Sequence, residues 1–164
     1  MTKAPKKKTE TTAKKQPRKH AVSCSESAPV VVEDQPLPKK VADRPVEEKS
    51  PAEWAYERLI LYIKNFEEQL DNEHEVAMGF VGGNAGVLRI EGMGFFDPDI
   101  VTFYGADEVG GKTQLIQHVS QLSVMLRALP KAVPAEDPKR IGFRLAAELA
   151  DDQVEDAENA AEKG

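Results

Sequence analysis

Cysteine is nearly missing from this 164-residue chain: Cys24 stands alone, beside three histidines and ten aromatic residues, of which one is tryptophan. A lone cysteine cannot close an internal disulfide, so a core has to hold the fold, and a reducing compartment is expected. Long apolar runs are also lacking. None approaches the ~20 residues that a helix needs to span a bilayer, and the first twenty residues hold no apolar stretch of the kind a secretory signal carries. The expectation is a soluble, cytoplasmic protein with no membrane partner.

The charge is uneven. Residues 1–20 carry eight Lys or Arg against one acid, residues 51–150 nine bases against fifteen acids, and residues 151–164 one base against six acids, within a net charge of −6. Most of the large apolar residues fall between Trp54 and Leu145. Three regions follow: a disordered basic arm and Pro-rich linker over residues 1–49, a single folded α+β domain over 50–146, and an acidic tail over 147–164. Lys6, Lys7, Lys8, Lys14, Lys15, Arg18 and Lys19 of the arm are candidate nucleic-acid contacts, since clustered cations gain affinity by releasing counterions from phosphates. A solubilising arm is the plainer reading and is preferred. Pro29, Pro36, Pro38 and Pro45 mark the linker, where Val30-Val31-Val32 is a candidate sticky motif.

Ser50-Pro51-Ala52-Glu53 is a helix start: a capping hydroxyl, a proline at the first helical position, and a glutamate completing a capping box. Ala55, Leu59, Ile63, Phe66 and Leu70 continue at helical spacing, predicting a helix to about Leu70. Trp54, Tyr56, Ile60 and Leu61 widen its apolar face and are candidate interface residues toward another copy, although an extended core is the preferred explanation. Strands are expected over about 75–81, 87–94 and 100–104, with Gly92 and Gly94 marking a bend. Residues 112–129 fit one helix or two strands, and periodicity slightly favours the helix. Residues 140–145 read as a last strand and the chain from Ala146 as a short polar helix or tail.

No catalytic motif emerges, and neither cofactor nor metal is expected. Asp97 and Asp99 flank Pro98 and could face a hard cation, but Asp-Pro-Asp is ordinary turn chemistry. His74, between Glu73 and Glu75, has too few ligand-type neighbours to make a site and reads as a hydrogen-bonded loop residue. His118 lies in an apolar run with only Ser120 and Ser123 nearby, so a core or interface role outweighs a general-base role. Gly111-Lys112-Thr113 echoes the end of a phosphate-binding loop, yet Ala106 stands where the motif needs its upstream glycine, so nucleotide binding is rejected.

Two resemblances follow from these segments. The runs starting at Pro51, Val87, Thr113 and Arg140 resemble, over about residues 51–146, an uncharacterised family of short, mostly alphaproteobacterial proteins. That resemblance implies a bacterial module and no activity. The order of a capped helix, a bent strand ending in Phe95-Phe96-Asp97-Pro98, and a strand ending in Gln117-His118 is similar to that of Sm-like, Hfq-type small barrels. It implies two strands over 112–129, a small β-barrel, Phe96-Asp97 at the place of the phenylalanine–aspartate pair that follows the bent strand in those barrels, and His118 at the place of the histidine that ends their fourth strand. Gln117 replaces the lysine usual there, and Asp107 and Glu108 oppose phosphate. The expectation is a non-enzymatic interaction or adaptor module that associates with itself or another protein. The alternative is an Sm-like RNA-binding regulator using the arm, with His118 among its contacts.

Overall fold

The computed structural model describes residues 16–22, 30–81 and 86–149. Helices α1 (Lys39–Asp43), α2 (Pro51–Glu67) and α3 (residues 141–149) pack with an antiparallel sheet of five strands. The strands are β1 (His74–Phe80), β2 (Val87–Phe96), β3 (Ile100–Ala106), β4 (Lys112–His118) and β5 (Val124–Pro130). Their spatial order is β4-β3-β2-β1-β5.

The start of α2 is as its residues dictate. Pro51 occupies the first turn and the Ser50 hydroxyl accepts from the Glu53 N–H at 3.0 Å. From α2, Ile60 and Ile63 enter the core without exposure and meet Val101 and Phe103 of β3, Met78 of β1, and Ile90 and Met93 of β2. Phe103 also meets Phe80 edge to face, with centroids 5.0 Å apart.

β2 turns the sheet. Its pairing with β3 slips between Ile90 and Gly92, and at this bulge a Cβ on Gly105 would lie 1.9 Å from the Arg89 carbonyl oxygen, so the backbones meet only because the side chain is hydrogen. The Tyr104 ring covers Gly92 from outside, and its hydroxyl donates to the Met93 carbonyl at 3.0 Å.

Residues 112–130 form two strands. Seven registered pairs tie β4 to β3 and seven tie β5 to β1, while a 3-10 turn over Val119–Gln121 makes the corner between them. The apolar residues that mimic a helical stripe, Leu115, Val119, Leu122 and Leu126, are the partly buried residues of these strands and their corner. Periodicity could not separate the two readings because both bury the same side chains.

Two expectations are corrected. The sheet is not closed into a small barrel: among the described residues β4 and β5 each pair on one side only and are its two edges. The expected strand over 140–145 is instead the start of α3. As a strand it would bury Phe143 beside Ile141 and Leu145, but Ile141 and Leu145 are buried one helical turn apart and Phe143 is 42% exposed. The Glu67 carboxylate, at the end of α2, accepts from the Phe143 N–H at 3.2 Å and so covers the first turn of α3. Its other oxygen is buried with no partner among the described residues. Burial pushes the Glu67 carboxyl above its ordinary value, opposed by the N–H groups of Gly142, Phe143 and Ile141 and by Arg140.

The segment expected as linker lies along α2. Val41 is buried, and the Lys49 ammonium reaches the Val41 carbonyl at 2.7 Å and Glu57 at 2.6 Å. Arg44 meets Glu53 at 2.6 Å, and Gln35 donates to Asn65 at 2.7 Å. These side chains supply the polar and apolar partners that a composition count does not register.

Gly142 lets α3 touch α2: a Cβ there would sit 2.7 Å from the Lys64 nitrogen and 2.8 Å from the Glu67 carboxylate. Gly142→Ala is expected to destabilise the domain by about 2 kcal/mol in urea unfolding. Because Glu67 binds its proton more tightly folded than unfolded, stability should fall as pH rises above the ordinary carboxylate value of 4.5. Glu57, raised mainly by burial, acts in the same direction. Glu67→Gln should therefore leave a shallower decline of the urea midpoint toward neutral pH, and an unchanged slope would reject Glu67 as a source.

Candidate functional site at the Asp97-Pro98-Asp99 corner

The turn between β2 and β3 gathers hydrogen bonds from several elements. Ser50, capping α2, shares a hydrogen bond with the Asp97 carboxylate. The Ala52 N–H donates to the Pro98 carbonyl at 2.9 Å, and the Val119 N–H to the Asp99 carbonyl at 2.8 Å. The Asp97–Pro98 peptide bond is cis. One tight turn thus joins the start of α2, the β2–β3 hairpin and the β4–β5 corner.

His118 completes it. Its Nε2 lies 3.0 Å from the Asp99 carboxylate, while Nδ1 lies 3.1 Å from the Ser120 backbone nitrogen and 2.7 Å from the Ser120 hydroxyl. A backbone N–H can only donate, so Nδ1 is the acceptor and Nε2 carries the hydrogen toward Asp99. Serine, histidine and aspartate stand in the order of a catalytic triad. The lone pair that would take the serine proton is, however, already engaged by the Ser120 N–H, and His118 is 45% exposed in its side chain. The arrangement caps the 3-10 turn and fixes the corner; it does not activate a hydroxyl. Among the described residues, no three His, Cys, Asp or Glu side chains gather as a metal site.

The other candidates are placed as follows. His74 pairs with Asp71 at 2.7 Å, and the hydrogen bond from His74 holds the Asp71 carboxyl below its usual value. In the loop before Lys112, Asp107 accepts from the N–H groups of Val109 at 3.0 Å and Gly111 at 2.7 Å. A carboxylate of the chain itself thus holds the donors that a phosphate would need.

Lys6, Lys7, Lys8, Lys14 and Lys15 lie outside the described residues, whereas Arg18 and Lys19 are exposed beside α2. Of the four proposed interface residues, Ile60 is corrected: it is fully buried, because it faces the sheet. Tyr56 packs on Phe95 with centroids 5.2 Å apart, and Trp54 and Leu61 are partly covered. Sequence reasoning missed Asp99 as the partner of His118, nineteen residues apart, for which no local signal exists. It also missed Arg58, whose guanidinium sits 4.7 Å from the Trp54 ring centroid, although its i,i+4 spacing was a usable signal.

Residues 46–144 match a family of unknown function, DUF6173. The chain belongs to that family. Neither a curated protein nor a solved structure matches it. The DUF6173 match takes in Lys49, the Asp97-Pro98-Asp99 turn, all five strands and the first residues of α3; α1 and the arm precede it. Among the described residues of this DUF6173 protein, no helix is long and apolar enough to cross a membrane.

The tautomer of His118 is directly measurable. Long-range 15N–1H correlation spectra should show the Nε2-protonated ring, and Ser120→Ala should leave it so because the backbone donor persists. Asp99→Ala should weaken the preference and lower stability by about 1 kcal/mol; an Nδ1-protonated ring in the unaltered protein would contradict the described corner.

Proposed function

We propose that this DUF6173 protein is a small, non-enzymatic bacterial interaction module of the cytoplasm that associates with itself through the two edges of its sheet. The observation that carries this reading is the incomplete cover at β4 and β5. Among the described residues both strands have a free edge, Ile116 on β4 is 62% exposed and Met125 on β5 47% exposed, and Leu115, Val119, Leu122, Val124 and Leu126 are only partly buried. An edge strand with unpaired backbone groups is a template for another strand. Two different edges on one copy make a head-to-tail contact that propagates or closes into a ring.

The Sm-like alternative has its own support. The order of helix and strands, the bend in β2, and the meeting of Phe96, Asp97 and His118 at one corner are what that resemblance implies. Asp97 and Asp99 place two carboxylates where phosphates would have to approach, which favours the protein-interaction reading for this corner.

Light scattering of the full chain should give a multiple of 18.0 kDa. The double variant Ile116→Lys/Met125→Lys should return the mass to one chain with little change in thermal unfolding. A single-chain mass for the unaltered protein at tens of micromolar would remove the reading.

A further inference from the structure

The hydrogen-bond pattern of β4 selects its partner. The Val119 N–H donates to the Asp99 carbonyl at 2.8 Å and the Asp107 N–H to the Gly111 carbonyl at 2.9 Å. Between them the register runs from Ile100 opposite His118 to Ala106 opposite Lys112. Opposed residues of an antiparallel pair alternately exchange backbone hydrogen bonds and turn those groups away. Thr113, Leu115 and Gln117 therefore bond to β3, whereas Lys112, Gln114, Ile116 and His118 turn their N–H and C=O groups to the edge that is free among the described residues. Leu115 and Gln117 lie on the core side, opposite the buried Phe103 and Val101, and Gln114, Ile116 and His118 lie on the outer face. On β5, the bonds from Val81 to Ser123 and from Lys131 to Glu73 leave the groups of Val124, Leu126, Ala128 and Pro130 at the edge, and Pro130 has no N–H.

A second β4, laid antiparallel on the first about a two-fold axis at Leu115, matches all of these groups. All 7 residues of the strand then pair: Gln114 exchanges bonds with the partner's Ile116, and Lys112 with the partner's His118. The side chains agree. Lys112 is exposed and comes level with a histidine whose Nε2 lies 3.0 Å from the Asp99 carboxylate, so an ammonium meets an acidic corner. Asp107, in the loop before β4, is turned to the N–H groups of Val109 and Gly111. On the core side, the Gln117 carbonyl oxygen is buried with no partner among the described residues, and the same register sets the partner's Thr113, with its hydroxyl, directly opposite on that face. β5 offers no such match. Its own two-fold joint places Arg127 against Arg127 and leaves Pro130 without a donor, and an antiparallel contact of β4 with β5 sets Ile116, on the outer face, level with core-side residues such as Leu126. We infer that two copies of the chain pair through β4, antiparallel about Leu115, into one continuous sheet. This joint rests on the self-association proposed above and forms before any contact through β5.

Sedimentation of the full chain at tens of micromolar should give twice the mass of one chain, 18.0 kDa. Gln114→Pro removes an N–H that β3 does not use, so the single copy keeps its ladder while dimerisation weakens about tenfold. Lys112→Glu should weaken it about tenfold at low salt and less at high salt, and Arg127→Glu should leave it unchanged. In a Cys24→Ser chain, Leu115→Cys should form an intermolecular disulfide under mild oxidation, because the two positions face each other with about 4.5 Å between Cα atoms. If Gln114→Pro fails to fold, Lys112→Glu and the disulfide decide. An undiminished dimer in folded Gln114→Pro or in Lys112→Glu, a dimer weakened by Arg127→Glu, or a larger mass without the disulfide overturns the β4 pair and leaves self-association standing. A single-chain mass removes both and leaves the edge to a strand from another protein.

Discussion

One long helix, α2, helped by Ile141 and Leu145 of α3, has to cover five strands. At 1.5 Å per residue, the 17 residues of α2 extend about 25 Å along their axis, but a helix with its side chains is only ~10 Å wide. Five strands laid flat would be about 24 Å across. The sheet can bury its inner face only by curling around the helix, and the bend in β2 does this. The slip between Ile90 and Gly92, with the backbone contact at Gly105, lets β3 and β1 both reach Ile60 and Ile63. The curl is incomplete, so the cover fails first at the strands farthest from α2, β4 and β5.

Polar groups then fix what apolar burial leaves undetermined. An ammonium and a carboxylate buried together, Lys49 and Glu57, seat the segment before α2, and a second carboxylate, Glu67, seats the segment after β5. None of these three side chains could be withdrawn from water without such partners. The Asp97-Pro98-Asp99 turn does the same at the surface through backbone carbonyls given to Ala52 and Val119. Small domains bury too little apolar surface to specify every junction, and here charged side chains and one turn specify the remaining ones.

The local elements were legible in the sequence. The Ser50 cap, the helix it begins, the glycine-marked bend and the first three strands all follow from spacing and turn chemistry, because each signal lies within a few residues of its effect. Legibility failed where distant groups decide. Residues 140–145 alternate well enough to read as a strand until Glu67, more than seventy positions earlier, supplies the acceptor for a helix start. Residues 112–130 carry a helical stripe that seven pairs with β3 and seven with β1 override. At the corner, Asp97 and Asp99 were visible as a turn, while the link from Asp99 to His118 is created only by the β3–β4 register, which sets Ile100 opposite His118.

Both ends of the described domain rest on the same helix. Pro38, Lys39 and Val41 from the leading segment, Leu61 of α2, and Ala146 and Leu149 of α3 enclose one apolar hollow of about 200 Å³, while β4 and β5 occupy the margins of the sheet. The helix that gathers both ends of the described residues is therefore distinct from the strands at the margins of the sheet. In any assembly joined through those strands, every added copy would bring another pair of charged terminal segments, one basic and one acidic. Weak contacts made by such termini would then combine as avidity, with affinity set by the number of copies and the spacing between them.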